Sequence, residues 1–203
     1  MKNILITQKV KKDKFSTINY IIEKNWYDLF KSKKINLIPV NKKINLKDKQ
    51  LSNITGVIIH GGNDLPINKR NDENIIRKKN DVSLIKYALK KKIPILAVCY
   101  GFQLIANMYG YKLKKKINHV NVTHTLNISL ASQKKSFLKV NSYHNYVIFK
   151  LPNFFSKLVK HDDGSIELAI SKNNKILCTM FHPERNNINQ KKIKKMIFKH
   201  FNI

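Results

Sequence analysis

Apolar positions fall into runs whose length and spacing differ between the two halves of the chain. Residues 2–7, 35–40, 55–60 and 93–98 are short, rich in Ile, Leu and Val, and nearly free of charge. Such runs read as strands of a parallel sheet covered on both faces. Pro39 marks the second of them as an edge strand or a strand end. Between the strands the spacing turns helical. Ser16 is placed to cap a helix over 16–33, with Ile18, Ile21, Ile22 and Leu29 along one face and Trp26 and Phe30 beside it. A short helical turn is expected at 46–51. A charged, mobile segment at 67–80 should lead into a helix over 81–92. The fourth strand passes directly into a helix over 102–109, with Phe102, Ile105 and Ala106 at helical spacing and Gly110 as its cap.

From Tyr111 onward the pattern changes to short strand-like runs at 113–117, 119–125, 126–130, 136–140, 147–150, 158–161, 166–171 and 175–181. A helix over 190–201 closes the chain, with Ile193, Ile197 and Phe201 on one side. This order predicts an α/β protein with a mostly parallel central sheet and helices on both faces. The antiparallel runs should extend that sheet and add a small accessory sheet in the second half. A single domain over 1–203 is expected from the length.

The uncharged stretch 93–111 is long enough to suggest a membrane span. Pro94, Gly101, Gln103 and Asn107 interrupt it where a turn and a polar helix face belong, so no membrane partner is expected. Charge changes the picture less than its size suggests. There are 40 Lys and Arg against 12 Asp and Glu, a formal net charge of +28, which ordinarily points to nucleic acid. Only Arg70, Arg77 and Arg185 are arginine, and Lys, Asn and Ile make up about 90 of the 203 residues. The bias belongs to the whole composition and forms no basic face interleaved with aromatics. No nucleic-acid partner is expected, although such a surface would steer an anionic small molecule. Cys99 and Cys178 lie in apolar runs and form no disulfide framework. The first residues read as a strand and carry no signal-peptide pattern, so a cytoplasmic location is expected.

Candidate chemistry gathers at predicted strand ends, where an open α/β sheet places its ligand site. Cys99 sits in the turn from strand to helix, where the helix dipole favours a thiolate. Gly101 permits that turn, and the backbone N–H of Tyr100 is placed to face a developing oxyanion. Gly61 and Gly62 follow the third strand and bring a second backbone donor close. His182 and Glu184, separated by Pro183, follow the last strand. A nucleophilic cysteine needs an imidazole to take and return a proton, and the imidazole needs a carboxylate to fix its tautomer. Asn141, Ser142, Tyr143 and His144 offer donors suited to an amino-acid carboxylate. His119 and His124, five apart in a strand-like run, should lie on opposite faces and make a poor metal pair. No metal and no cofactor are expected.

In that order, Gly61-Gly62-Asn63-Asp64, Cys99-Tyr100-Gly101-Phe102-Gln103, Asn141-Ser142-Tyr143-His144 and Phe181-His182-Pro183-Glu184 resemble a class I glutamine amidotransferase. Within it the chain is similar to the γ-glutamyl hydrolase branch, from first strand to last helix. The resemblance implies Cys99 as nucleophile, His182 as base and acid, and Glu184 as its orienter. It implies oxyanion amides at Gly62 and Tyr100, with Gly61, Asn63, Asp64, Gln103, Asn141, Ser142, Tyr143 and His144 around the glutamyl group. Tyr100 stands where the branch commonly has Arg, which alters a surface or substrate contact. Length, the first residues and the glycine loop look most like the small bacterial γ-glutamyl-CDP-amidate hydrolases. That implies a nucleotide-linked γ-glutamyl substrate and a role in phosphoramidate decoration of capsular polysaccharide; Lys69 and Arg70, close to the glycine loop in sequence, are candidate phosphate contacts. A γ-glutamyl-γ-aminobutyrate-type hydrolase, a glutaminase subunit with a partner synthase and a catalytically silent binding protein stay open. So does a homodimer.

Overall fold

The computed structural model describes residues 2–41, 53–128 and 136–203. The turn expected at 46–51 lies outside them. In chain order the elements are β1 (Lys2–Thr7), β2 (Lys9–Lys12), β3 (Ile18–Ile21), α1 (Lys24–Phe30), β4 (Ile35–Val40), β5 (Ile54–Ile59), α2 (Asp72–Lys90), β6 (Ile95–Val98) and α3 (Tyr100–Met108). They continue as β7 (Lys114–Lys115), β8 (Val120–Asn127), β9 (Phe137–Tyr143), β10 (Tyr146–Val147), β11 (Lys157–Lys160), β12 (Ile166–Ser171), β13 (Ile176–Thr179) and α4 (Gln190–Phe201).

Seven strands form one sheet in the order β11-β12-β13-β6-β5-β1-β4. From β13 to β4 every pairing is parallel, and β12 and β11 add antiparallel strands at the other end. β4, with Pro39, lies at the edge, as a strand lacking one ladder donor should. Successive residues face opposite cores. Leu5, Val57, Ile59, Ile95 and Ala97 pack with Leu84, Ile85 and Ala88 of α2 and Phe102 and Ile105 of α3. Ile4, Ile6, Ile58, Leu96 and Val98 pack with Trp26, Leu29 and Phe30 of α1 and Ile193, Ile197 and Phe201 of α4. Burial on both faces is why these strands lack polar alternation. It also holds α1, whose seven residues are too few to stand as an isolated helix. No described helix is long and apolar enough to cross a membrane.

Two expectations are corrected. The helix foreseen over 16–33 is a β2–β3 hairpin followed by the short α1. Asp13 closes the hairpin turn, its Oδ1 accepting from the amides of Phe15 at 2.9 Å and Thr17 at 3.0 Å. Ser16 lies in that turn at φ 67°. The hairpin is anchored by Asn63, whose side chain both accepts from Val10 N–H (2.9 Å) and donates to its carbonyl (2.8 Å). That contact spans more than fifty residues and leaves no trace in local spacing. The segment 67–80 is also more ordered than foreseen, because α2 begins at Asp72. Asn71 caps it by accepting from Asn74 N–H at 3.0 Å, and Asp72 and Glu73 in the first turn complement the helix dipole. The accessory antiparallel structure is the β8–β9 hairpin, with smaller pairs β2–β3 and β7–β10.

Candidate active site

β13, β6 and β5 are adjacent and parallel, so the residues that follow them meet at one edge of the sheet. These are His182 and Glu184, Cys99, and the Gly61-Gly62 loop.

Cys99 adopts φ 49° and ψ −102°, a conformation that few non-glycine residues take. It is fixed from both sides. Its N–H donates to the Thr179 carbonyl at 2.7 Å, and its own carbonyl accepts from Gln103 N–H at 3.0 Å. Gly101 allows α3 to start against β5, because a Cβ there would collide with the Ile59 carbonyl oxygen. Tyr100, first in α3, has an amide with no intrahelical acceptor. Its side chain points inward, buried, with the Arg77 guanidinium 4.2 Å above its ring. The substitution noted at this position therefore faces the interior and alters no surface contact.

His182 is buried, and its Nδ1 lies 2.7 Å from Glu184 Oε1. Burial alone would lower the imidazole pKa. The Glu184 carboxylate and a hydrogen bond with Cys99 overcome this and raise it to about 10. The backbone of His182 is clamped as well. Its N–H donates to Asn141 Oδ1 at 2.8 Å, and its carbonyl accepts from Asn141 Nδ2 at 2.9 Å and Asn187 Nδ2 at 3.0 Å. The imidazole thus links a strained cysteine to a buried carboxylate. That is the minimal set for nucleophilic attack with proton return.

A cavity of about 290 Å³ opens over these groups, walled in part by Cys99, His182, Gly62, Gln103, Tyr143 and Arg185. A family model described as "Glutamine amidotransferase class-I" matches residues 11–202. The chain belongs to the class I glutamine amidotransferases. It is 34% identical over 137 residues to a gamma-glutamyl-CDP-amidate hydrolase of Campylobacter jejuni, covering 66% of this chain and 64% of that protein. It is 35% identical over 103 residues to anthranilate synthase component 2 of Helicobacter pylori, covering 47% of this chain and 50% of that one. The matched stretches thus span under two thirds of each relative's length. A glutamine amidotransferase structure from Thermotoga maritima superposes with a TM-score of 0.67 at 18% identity, covering 98% of this chain and 82% of that one.

The fold brings only some of the expected residues to the cavity. Gly62, Asn63, Asp64, Gln103, Tyr143 and His144 line it. Gly61, Asn141, Ser142, Lys69 and Arg70 do not. Gly61 packs beneath the His182 ring, Asn141 holds the His182 backbone, and Ser142 Oγ donates inward to the His119 carbonyl at 2.6 Å. Lys69 and Arg70 are exposed in the loop before α2. The basic groups at the cavity are instead Lys9 and Arg185. Arg185 is bonded to Glu23 at 2.7 and 3.0 Å and lies over the Tyr143 ring.

Arg77 was equally hidden in the sequence. Fully buried, it donates to the carbonyls of His60 and Gly61 and to Asn63 Oδ1, and it pairs with Asp81 at 3.2 Å. It thereby sets the direction of the glycine loop. Burial raises the Asp81 carboxyl to about 6 despite that partner. Finally, His119 and His124 do not diverge. Their ring centroids are 4.8 Å apart. His119 precedes β8, Asn118 and Asn121 take positive φ, and the β8–β9 register slips between Val120 and Val122, so strand parity does not hold across this stretch.

Proposed function

We propose that this amidotransferase hydrolyses a γ-glutamyl amide through a Cys99 thioester. The observation that carries the reading is His182 bonded to Glu184 at 2.7 Å and lining, with Cys99, the wall of one cavity. Cys99 Sγ attacks the γ-carbonyl carbon, and the carbonyl oxygen becomes an oxyanion facing the amides of Gly62 and Tyr100. The tetrahedral intermediate collapses as His182 delivers a proton to the departing nitrogen. Water, deprotonated by His182, then cleaves the thioester and frees glutamate. Asp64, Gln103, Tyr143 and His144 surround the glutamyl group. Nothing in these steps calls for a metal or cofactor at Cys99.

The substrate we propose is γ-glutamyl-CDP-amidate, giving cytidine diphosphoramidate for phosphoramidate modification of capsular polysaccharide. The Campylobacter jejuni relative supports it, as do Lys9 and Arg185 at the cavity, which suit a diphosphate leaving group. A second reading, a glutaminase subunit that passes ammonia to a synthase, is favoured by the likeness to anthranilate synthase component 2.

The test is glutamate release by the purified chain from γ-glutamyl-CDP-amidate, γ-glutamyl-γ-aminobutyrate and glutamine, with Cys99→Ala as control. Preferred turnover of the nucleotide substrate, abolished in Cys99→Ala, is expected. Inactivity on all three would reject a stand-alone hydrolase and favour the subunit reading.

A further inference from the structure

Behind the cavity wall lies a second polar cluster, of which only His144 meets the cavity of the proposed reaction. His119 precedes β8, His124 lies within it, His144 follows β9 and Glu167 lies on β12. Their side chains are exposed by only 4%, 3%, 1% and 0%. One ligand atom from each falls within 4.8 Å of all the others.

His124 Nδ1, His144 Nε2 and His119 Nδ1 lie 3.2, 3.3 and 4.0 Å from Glu167 Oε1. The approaches are short but not aligned as hydrogen bonds. Both Glu167 oxygens, both His144 ring nitrogens and the Nδ1 atoms of His119 and His124 are buried without a partner. Leaving a buried polar group unsatisfied is costly, more so if it is charged, and native interiors rarely tolerate several together. Among the described residues no Lys or Arg pairs with Glu167, whose carboxylate needs a cation at that depth.

The spacing fits one. Four ligands about 2.0–2.1 Å from a tetrahedral ion stand about 3.4 Å from each other, close to the two shorter separations. His119 supplies a further sign. Its other nitrogen, Nε2, lies 3.0 Å from Asp163 Oδ2, and Asp163 is held in turn by the Ser165 amide and hydroxyl. A carboxylate on the far side of an imidazole is the usual outer support of a metal-bound histidine and leaves Nδ1 free to ligate.

We propose that His119 Nδ1, His124 Nδ1, His144 Nε2 and a Glu167 oxygen bind one divalent transition-metal ion, with zinc the best match to three imidazoles and a carboxylate. Four protein ligands make it a closed, structural site. Its reach to the active site is His144, which shares the cavity wall with Asn145 and Tyr146. The Tyr146 carbonyl accepts from Gln103 Nε2 at 3.1 Å. The ion therefore fixes the wall that meets substrate, and its loss raises KM more than it lowers kcat.

The metal count does not depend on which substrate the enzyme takes. Zinc is measured by elemental analysis on the full chain carrying Cys99→Ala, which removes the catalytic sulfur as a ligand, and Co2+ is titrated in parallel as a spectroscopic probe. One ion per chain is expected, with the visible bands of tetrahedral Co2+ and no sulfur-to-cobalt charge transfer. His124→Asn and Glu167→Gln should abolish stoichiometric uptake, and Asp163→Asn should weaken it by about 10–100-fold. Failure of the Cys99→Ala chain to take up either ion overturns the proposal whether or not the ligand variants fold. So does undiminished uptake by folded His124→Asn and Glu167→Gln.

Discussion

Adding one methyl group at Gly61 tests whether catalysis depends on where the His182 ring sits. A Cβ there falls 2.5 Å from His182 Cε1 and 3.3 Å from Nε2, against an ordinary carbon–carbon contact of about 3.5 Å. The ring must retreat by about 1 Å to make room. It cannot swing freely, because Nδ1 is bonded to Glu184 at 2.7 Å and the backbone is clamped by Asn141. A 1 Å retreat either stretches the Glu184 bond to about 3.7 Å, beyond hydrogen-bond range, or carries Nε2 away from Cys99. Misplacement of that size costs about 10²-fold in rate, equivalent to about 2.7 kcal/mol of transition-state stabilisation. The fold should survive, since overpacking costs about 1–3 kcal/mol against a stability of about 5–15 kcal/mol. The assay is kcat/KM for γ-glutamyl amide hydrolysis beside a thermal melt. The rate of Cys99 alkylation by iodoacetamide gives a reading independent of substrate choice, and both rates should drop in Gly61→Ala. A folded variant that keeps kcat/KM within a factor of about three of wild type would refute the reasoning.

Two other perturbations separate charge from shape. The folded-state pKa of His182, raised from 6.5 to about 10, means that its stabilisation is complete below about pH 6.5 and is lost as pH rises through about 10. Melting temperature should therefore fall across that window, less steeply in Glu184→Gln, and equal slopes in the two proteins would contradict the Glu184–His182 linkage. Arg77→Met strips the buried donor from the His60 and Gly61 carbonyls and leaves Asp81 unpaired. Denaturant melts should show a loss of about 3–5 kcal/mol, and a loss under about 1 kcal/mol would mean that Arg77 behaves like a surface charge.

The parallel sheet and the terminal helix were legible because their cause is local: uniform apolar runs for strands buried twice, and Ile193, Ile197 and Phe201 at helical spacing. The Cys99, His182 and Glu184 positions were legible because each follows such a run. What stayed hidden came from long-range pairing. Ile18 and Ile21 suit a helix face or a strand equally, and the Asn63–Val10 contact helps hold the strand. Arg77 looked like one more charge in a basic segment, yet two backbone carbonyls and a buried aspartate draw it inside. Asn141 carries the same side chain as a substrate-binding residue would, and only its absence from the cavity wall and its two bonds to the His182 backbone reveal a positioning role. The histidine cluster escaped because alternation along a strand was carried across residues with positive φ and a slipped register.

The place of β13 in the sheet has a consequence for how the molecule is made. This strand, near the end of the chain, lies against β6, roughly eighty residues earlier, with Ile176 opposite Ile95 and Thr179 opposite Val98. Until it arrives, β6 is a bare apolar edge of the kind that pairs with other chains, and the Cys99 amide lacks its Thr179 acceptor. Contacts of such sequence separation form late and slowly. A nascent or cleaved chain that stops before residue 176 would carry the thiol with neither its base nor its backbone anchor. Competence thus waits for β13 to close the centre of the sheet.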